Sequence, residues 1–127
     1  MTPTLLLAIA IGGAAGSVGR YLLATAVTQV AGAAWPWGTL TVNVIGGLAI
    51  GLIAEMLVLR WQGGPELRAF LVTGILGGFT TFSAFSLEAV ALIARDAWSA
   101  ALAYVAVSVV LSLAATALGI AMARWLA

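Results

Sequence analysis

The chain has 127 residues, 64% of them hydrophobic and 7% charged, with a formal net charge of +1. Soluble domains carry about 25% charged residues, so this chain has too little charge to coat a water-facing surface, and a soluble globular enzyme is excluded. The hydrophobicity excludes a disordered chain, and the lack of a basic cluster argues against nucleic acid as a partner. What remains is an all-α integral membrane protein with a single membrane domain over residues 1–127.

Cysteine, histidine and lysine are absent, which removes thiolate chemistry and the commonest metal ligand and proton shuttle. The positive charges are Arg20, Arg60, Arg68, Arg95 and Arg124; the acids are Glu55, Glu66, Glu88 and Asp96. A membrane-crossing helix needs about 20 apolar residues. Charges and turn signals predict four, over residues 4–30, 37–59, 67–94 and 98–126. The Trp35-Pro36-Trp37 belt separates the first two, the polar stretch 60–66 the next two, and Arg95-Asp96 the last two. Trp35, Trp37, Trp61, Trp98 and Trp125 fall at span ends, where interfacial aromatics belong. The start Met1-Thr2-Pro3-Thr4 lacks the positive segment of a secretory signal, so none is expected.

Four spans put both termini on one side, with Arg60, Arg68 and Arg124; Arg95 lies on the other, towards which Arg20 can snorkel. This bias is weak for the positive-inside rule. Two outcomes stay open: insertion in either orientation, or one orientation with both termini inside.

Within the spans, residues four apart share a helix face. Gly12, Gly16 and Arg20 align in the first span and Asn43, Gly47 and Gly51 in the second. The glycine pairs read as close helix packing. Tyr104, Ser108, Ser112 and Thr116 form a hydroxyl stripe on the fourth span, which suits a wet path or an interhelical seam equally. Asn43 needs partners at mid-span: a helix–helix hydrogen bond, or an anion taken by its amide protons. Arg20 marks a path or a pair; the pairing choice is Glu88 from another helix, although Glu88 can also reach the interface. In the third span two adjacent glycines precede Phe79-Thr80-Thr81-Phe82-Ser83-Ala84-Phe85-Ser86. This run predicts a helix broken over Gly77–Ser83, tolerable at membrane depth only where protein or a wet cavity satisfies the freed groups. The phenylalanines there suit packing, but their positive ring edges beside hydroxyls also suit a dehydrated anion.

Three runs together resemble the small bacterial fluoride channels of the Fluc (CrcB) family, over essentially the whole chain. They are the glycine-rich run 13–21 ending in Arg20-Tyr21, the Gly38-Thr39-Leu40…Asn43…Gly46 segment, and Gly77–Ser86. The resemblance implies an antiparallel, dual-topology homodimer in the bacterial inner membrane, with two pores that export fluoride passively. It implies that Asn43, Phe82 and Phe85 contact the ion, with Ser83, Ser86, Ser108, Ser112 and Thr116 as donors and Tyr104 along the route. Arg20 then makes the vestibule electropositive. A structural sodium ion, bound but not transported, is held at the dimer centre by backbone carbonyls at Gly77 and Thr80. Ala84 departs from the motif, which often has a hydroxyl there, so any donor at that place is lost.

Two other classes compete. A four-span proton-coupled multidrug exporter needs a membrane-embedded acid in the first span, where this chain has Arg20 and no acid. A purely structural membrane subunit would use the glycines and hydroxyls for packing alone.

Overall fold

A computed structural model describes residues 2–127. Among them are four helical runs long and apolar enough to cross a membrane: Pro3–Ala31, Trp37–Trp61, Pro65–Ala94 and Trp98–Leu126. Each end lies within two residues of the predicted one. Helix α1 (Pro3–Ala31) begins on a proline, whose missing N–H is no loss in a first turn. It stops at Gly32, whose φ of 87° is open to glycine and strained for other residues. Helix α2 (Trp37–Met56) starts behind Pro36 and runs on through a π-helical turn, Leu57–Trp61.

The third run is composite. Helix α3 (Pro65–Arg68) passes into wider π-helical turns over Ala69–Leu76 and then into α4 (Gly77–Phe79). Thr80 (ψ 156°) and Thr81 (φ −150°, ψ 123°) have extended backbone, and α5 (Phe82–Ala94) follows. Extended backbone is thus confined to the two threonines, whereas Gly77 itself is helical (φ −64°, ψ −37°). Helix α6 (Trp98–Leu126) completes the fold.

Glycines decide which helices touch. A Cβ on Gly12 would meet the Phe70 carbonyl, and one on Gly16 the Ile75 carbonyl; Gly74 and Gly78 face back onto the backbone of Gly12 and Gly13. The same device joins α2 to α6, where Gly47 and Gly51 lie on the Ser112 and Thr116 carbonyls and Gly119 on that of Leu48. Such backbone-to-backbone approach is how small residues bring membrane helices together. Gly51→Ala should therefore force α2 from α6. The expected cost is about 1–3 kcal/mol, the range for overpacking, read as a lowered thermal midpoint of the detergent-purified protein.

At one end of the bundle Leu40, Phe85, Ala89, Leu92, Ala101 and Tyr104 form a buried cluster. Trp35 packs against it and donates its indole N–H to the Ala100 carbonyl at 3.2 Å, which ties the loop between α1 and α2 to the first turn of α6. Trp35 is therefore a packing residue as well as a belt residue. At the opposite end Arg124 pairs with Glu55 at 2.7 Å, and Arg60 donates to the carbonyls of Leu126 (3.1 Å) and Ala127. The outward faces carry exposed Leu7, Leu22 and Leu118, as a lipid-facing surface requires.

Candidate functional site

The extended step at Thr80–Thr81 changes where backbone hydrogen bonds go. In a continuous helix the Thr81 N–H would bond to the Gly77 carbonyl, four residues back. It donates instead to Asn43 Oδ1 at 2.8 Å, while Asn43 Nδ2 donates to the Thr81 carbonyl at 2.9 Å. One amide side chain from α2 thus satisfies both backbone groups of a buried residue at the step between α4 and α5. The Ala84 N–H, which would otherwise reach the Thr80 carbonyl, donates to Thr81 Oγ1 at 3.1 Å and so caps α5. These exchanges leave the Gly77 and Thr80 carbonyls without their usual helical donors.

Beside this junction lies an open-sided cavity of about 370 Å³. Asn43 from α2, Phe82 and Phe85 from α5, and Ser108 and Ser112 from α6 line it, together with Thr80 and Thr81 of the junction. Ser108 is buried, and its hydroxyl has no hydrogen-bond partner among the described residues. A buried polar group without a partner is costly, so this hydroxyl is ready for whatever enters the cavity. Asn43 has one amide proton committed to Thr81 and a second left to offer. The helix–helix hydrogen bond weighed for Asn43 is therefore present, and it leaves one donor over. The two phenylalanines differ sharply: Phe82 is 78% exposed, whereas Phe85 is 9% exposed and packs on Tyr104 with ring centroids 5.2 Å apart.

The remaining sequence-assigned residues lie outside the cavity lining. Ser86 Oγ bonds back to the Phe82 carbonyl (2.9 Å), and Thr116 Oγ1 to the Ser112 carbonyl (3.0 Å). Ser83 is exposed, with its hydroxyl 3.4 Å from that of Thr81. The hydroxyl stripe on α6 therefore divides: Ser108 and Ser112 face the cavity, while Thr116 sits on the seam with α2. Phe79, the first of the three phenylalanines, packs its ring near Gly19 and Gly46. Arg20 is half-buried and has no ion-pair partner among the described residues, so the pairing with Glu88 is not formed. No group of three acids, histidines or cysteines that could hold a metal occurs among the described residues; the oxygen ligands on offer are the Gly77 and Thr80 carbonyls.

Tyr104 and Glu88 act together. Tyr104 is fully buried and donates its hydroxyl to Glu88 Oε2 at 2.7 Å; Thr39 donates to Glu88 Oε1 at 2.8 Å. The half-buried carboxylate is thus held across the bundle by α2 and α6. The sequence offers Arg20 or the interface as its surroundings; the structure gives it two hydroxyl donors instead. The face signal was available: Thr81, Phe85, Glu88 and Leu92 recur at helical spacing. Glu88 also lines a second cavity of about 230 Å³, with Thr28, Trp35 and Arg95. An aromatic chain joins the two cavities, from Phe82 to Phe85 (5.4 Å), to Tyr104 (5.2 Å), to Trp35 (5.3 Å).

Comparison with known proteins agrees with the motif resemblance. Residues 7–120 match the model of a family described as CrcB-like protein, Camphor Resistance (CrcB). Similar curated proteins include the fluoride-specific ion channel FluC of Rhodospirillum centenum, 49% identical over 94% of this chain and 95% of that protein. The protein of the same name from Rhizobium meliloti is 50% identical over 94% of this chain and 95% of its own length. That from Agrobacterium fabrum is 49% identical over 91% and 93%.

Proposed function

As the chain belongs to the CrcB-like family, we propose that it is a fluoride-selective channel, not an enzyme, working passively in the bacterial inner membrane. The observation that carries the reading is the first cavity, where an amide, two phenyl rings and the hydroxyls of Ser108 and Ser112 converge from three helices, beside Thr80 and Thr81, without a fixed charge. Fluoride is small and holds its water tightly, so a selective path must replace that water with donors. Ser108 has an unpartnered hydroxyl and Asn43 a spare amide proton. The positive edges of Phe82 and Phe85 add weak attraction without the trap that a full charge would make. Ser112 extends the donors along α6, and Tyr104 leads on towards the second cavity. Ser86 and Thr116 serve the route through the backbone they hold, and Ser83 through the Thr81 hydroxyl beside it. Arg20, unpaired, makes the entrance electropositive.

The working unit is an antiparallel homodimer with two pores. The cavity is open-sided and Phe82 is largely exposed; polar groups facing hydrocarbon are costly, so a second copy covers them. The weak arginine bias permits both orientations in one membrane. A structural sodium ion fits the same frame: the Gly77 and Thr80 carbonyls have lost their helical donors, and carbonyl oxygens suit a hard cation. When bound it would fix the two copies together, and it would not be transported. The physiological use is export: fluoride enters as neutral HF, ionises inside, and leaves down its electrochemical gradient.

The test is fluoride release from liposomes holding purified protein and a potassium fluoride gradient, with potassium chloride vesicles as control. The expected result is rapid fluoride release that requires valinomycin to carry the compensating charge, without chloride release. No release from folded, dimeric protein overturns the reading.

A further inference from the structure

The second cavity lies at the loop end of the bundle, away from the glycine-packed middle. An anion using it would meet a difficulty, because Glu88 is part of its lining. That carboxylate is held by two neutral hydroxyls, Thr39 and Tyr104, and no cation lies within ion-pair distance of it among the described residues. Its negative charge is therefore uncompensated at close range and repels an approaching anion. One lining residue carries the opposite charge. Arg95 ends α5, is exposed, and is likewise in no ion pair among the described residues. Such an arginine is free to attract, and a cleft with low-dielectric walls focuses its field. Trp35, fixed by its bond to Ala100, holds one wall in place.

We infer that Arg95 is the anion-collecting group at this mouth: it offsets the charge of Glu88 and raises the local fluoride concentration at the loop end of the route. This inference rests on the fluoride reading above. It gives the pathway a second cation besides Arg20, at the mouth that Glu88 would otherwise make negative.

The test compares wild type, Arg95→Gln and Arg95→Lys by valinomycin-dependent fluoride release from liposomes. Each is run at low ionic strength and again with N-methylglucamine gluconate added on both sides. Arg68→Gln, at the start of the third span, is the control for loss of a surface arginine. Arg95→Gln should reduce flux at least about threefold at low ionic strength. Half or more of that deficit should vanish at about 0.5 M salt, where charges are screened within a few ångströms. Arg95→Lys should retain most of the flux and Arg68→Gln all of it. Equal flux in wild type and Arg95→Gln overturns the inference. So does an equal, salt-independent loss in both Arg95 variants, which marks a packing role, or the same loss in Arg68→Gln, which marks a general surface effect. A wild type without flux removes the fluoride reading itself, and this role with it.

Discussion

Phe82→Ile should lower fluoride release at least about a hundredfold while leaving the protein folded and dimeric. The scale is that of removing one preorganised donor from a site that stabilises charge. The argument turns on exposure. Phe82 is 78% exposed and lines the open side of the cavity, so its ring supports little of its own chain's packing. Isoleucine fills similar space and stays apolar, but it has no positive edge to offer. A packing role therefore predicts near-normal flux, and a ring-edge role predicts the loss. Phe85 gives a less clean answer, because its ring touches both Phe82 and Tyr104 inside the buried cluster. Flux in vesicles, read beside the gel-filtration profile, separates the two roles; unchanged flux in Phe82→Ile removes the ring from the pathway.

The second large effect concerns Asn43. Replacing it with leucine takes away both partners of the Thr81 backbone in a buried setting. An unsatisfied buried group costs about 1–3 kcal/mol, so two cost about 2–6 kcal/mol. Asn43→Leu should show the lowest thermal midpoint in detergent among the variants described. Asn43→Asp keeps an acceptor for the Thr81 N–H but, when ionised, sets an oxygen against the Thr81 carbonyl and brings a negative charge to the cavity. It should fall between wild type and leucine in stability and lose fluoride flux. Equal midpoints in all three proteins would mean that the reciprocal pair does not hold the junction.

The spans were legible because charge, tryptophan and proline all change at the same places, so ends at Pro3, Trp37 and Trp98 need no tertiary information. The glycine seams were legible too, since Gly12/Gly16 and Gly47/Gly51 have spacing that suits little else. What was hidden depends on juxtaposition. Asn43 could be read as needing partners, but not that Thr81 would supply a donor and an acceptor together. Gly77–Ser83 could be read as weak helix, yet the extended backbone falls on the threonines, because Asn43 and the Thr81 hydroxyl reward it there. Glu88 could be read as a partner for Arg20 across the bundle, but not that the hydroxyls of Thr39 on α2 and Tyr104 on α6 would hold it instead. The stripe on α6 divides because that helix runs past the cavity: Ser108 meets open space where Thr116 meets the backbone of α2.

The lateral opening of the first cavity also bears on gene dosage. On the proposed pairing, a lone chain carries half of a conduit and conducts nothing. Association then obeys mass action over membrane area rather than solution volume. While pairs are scarce, transport capacity rises with the square of the number of chains per unit area, and it becomes linear once nearly every chain is paired. A cell expressing few copies therefore depends on how tightly the notched faces hold one another.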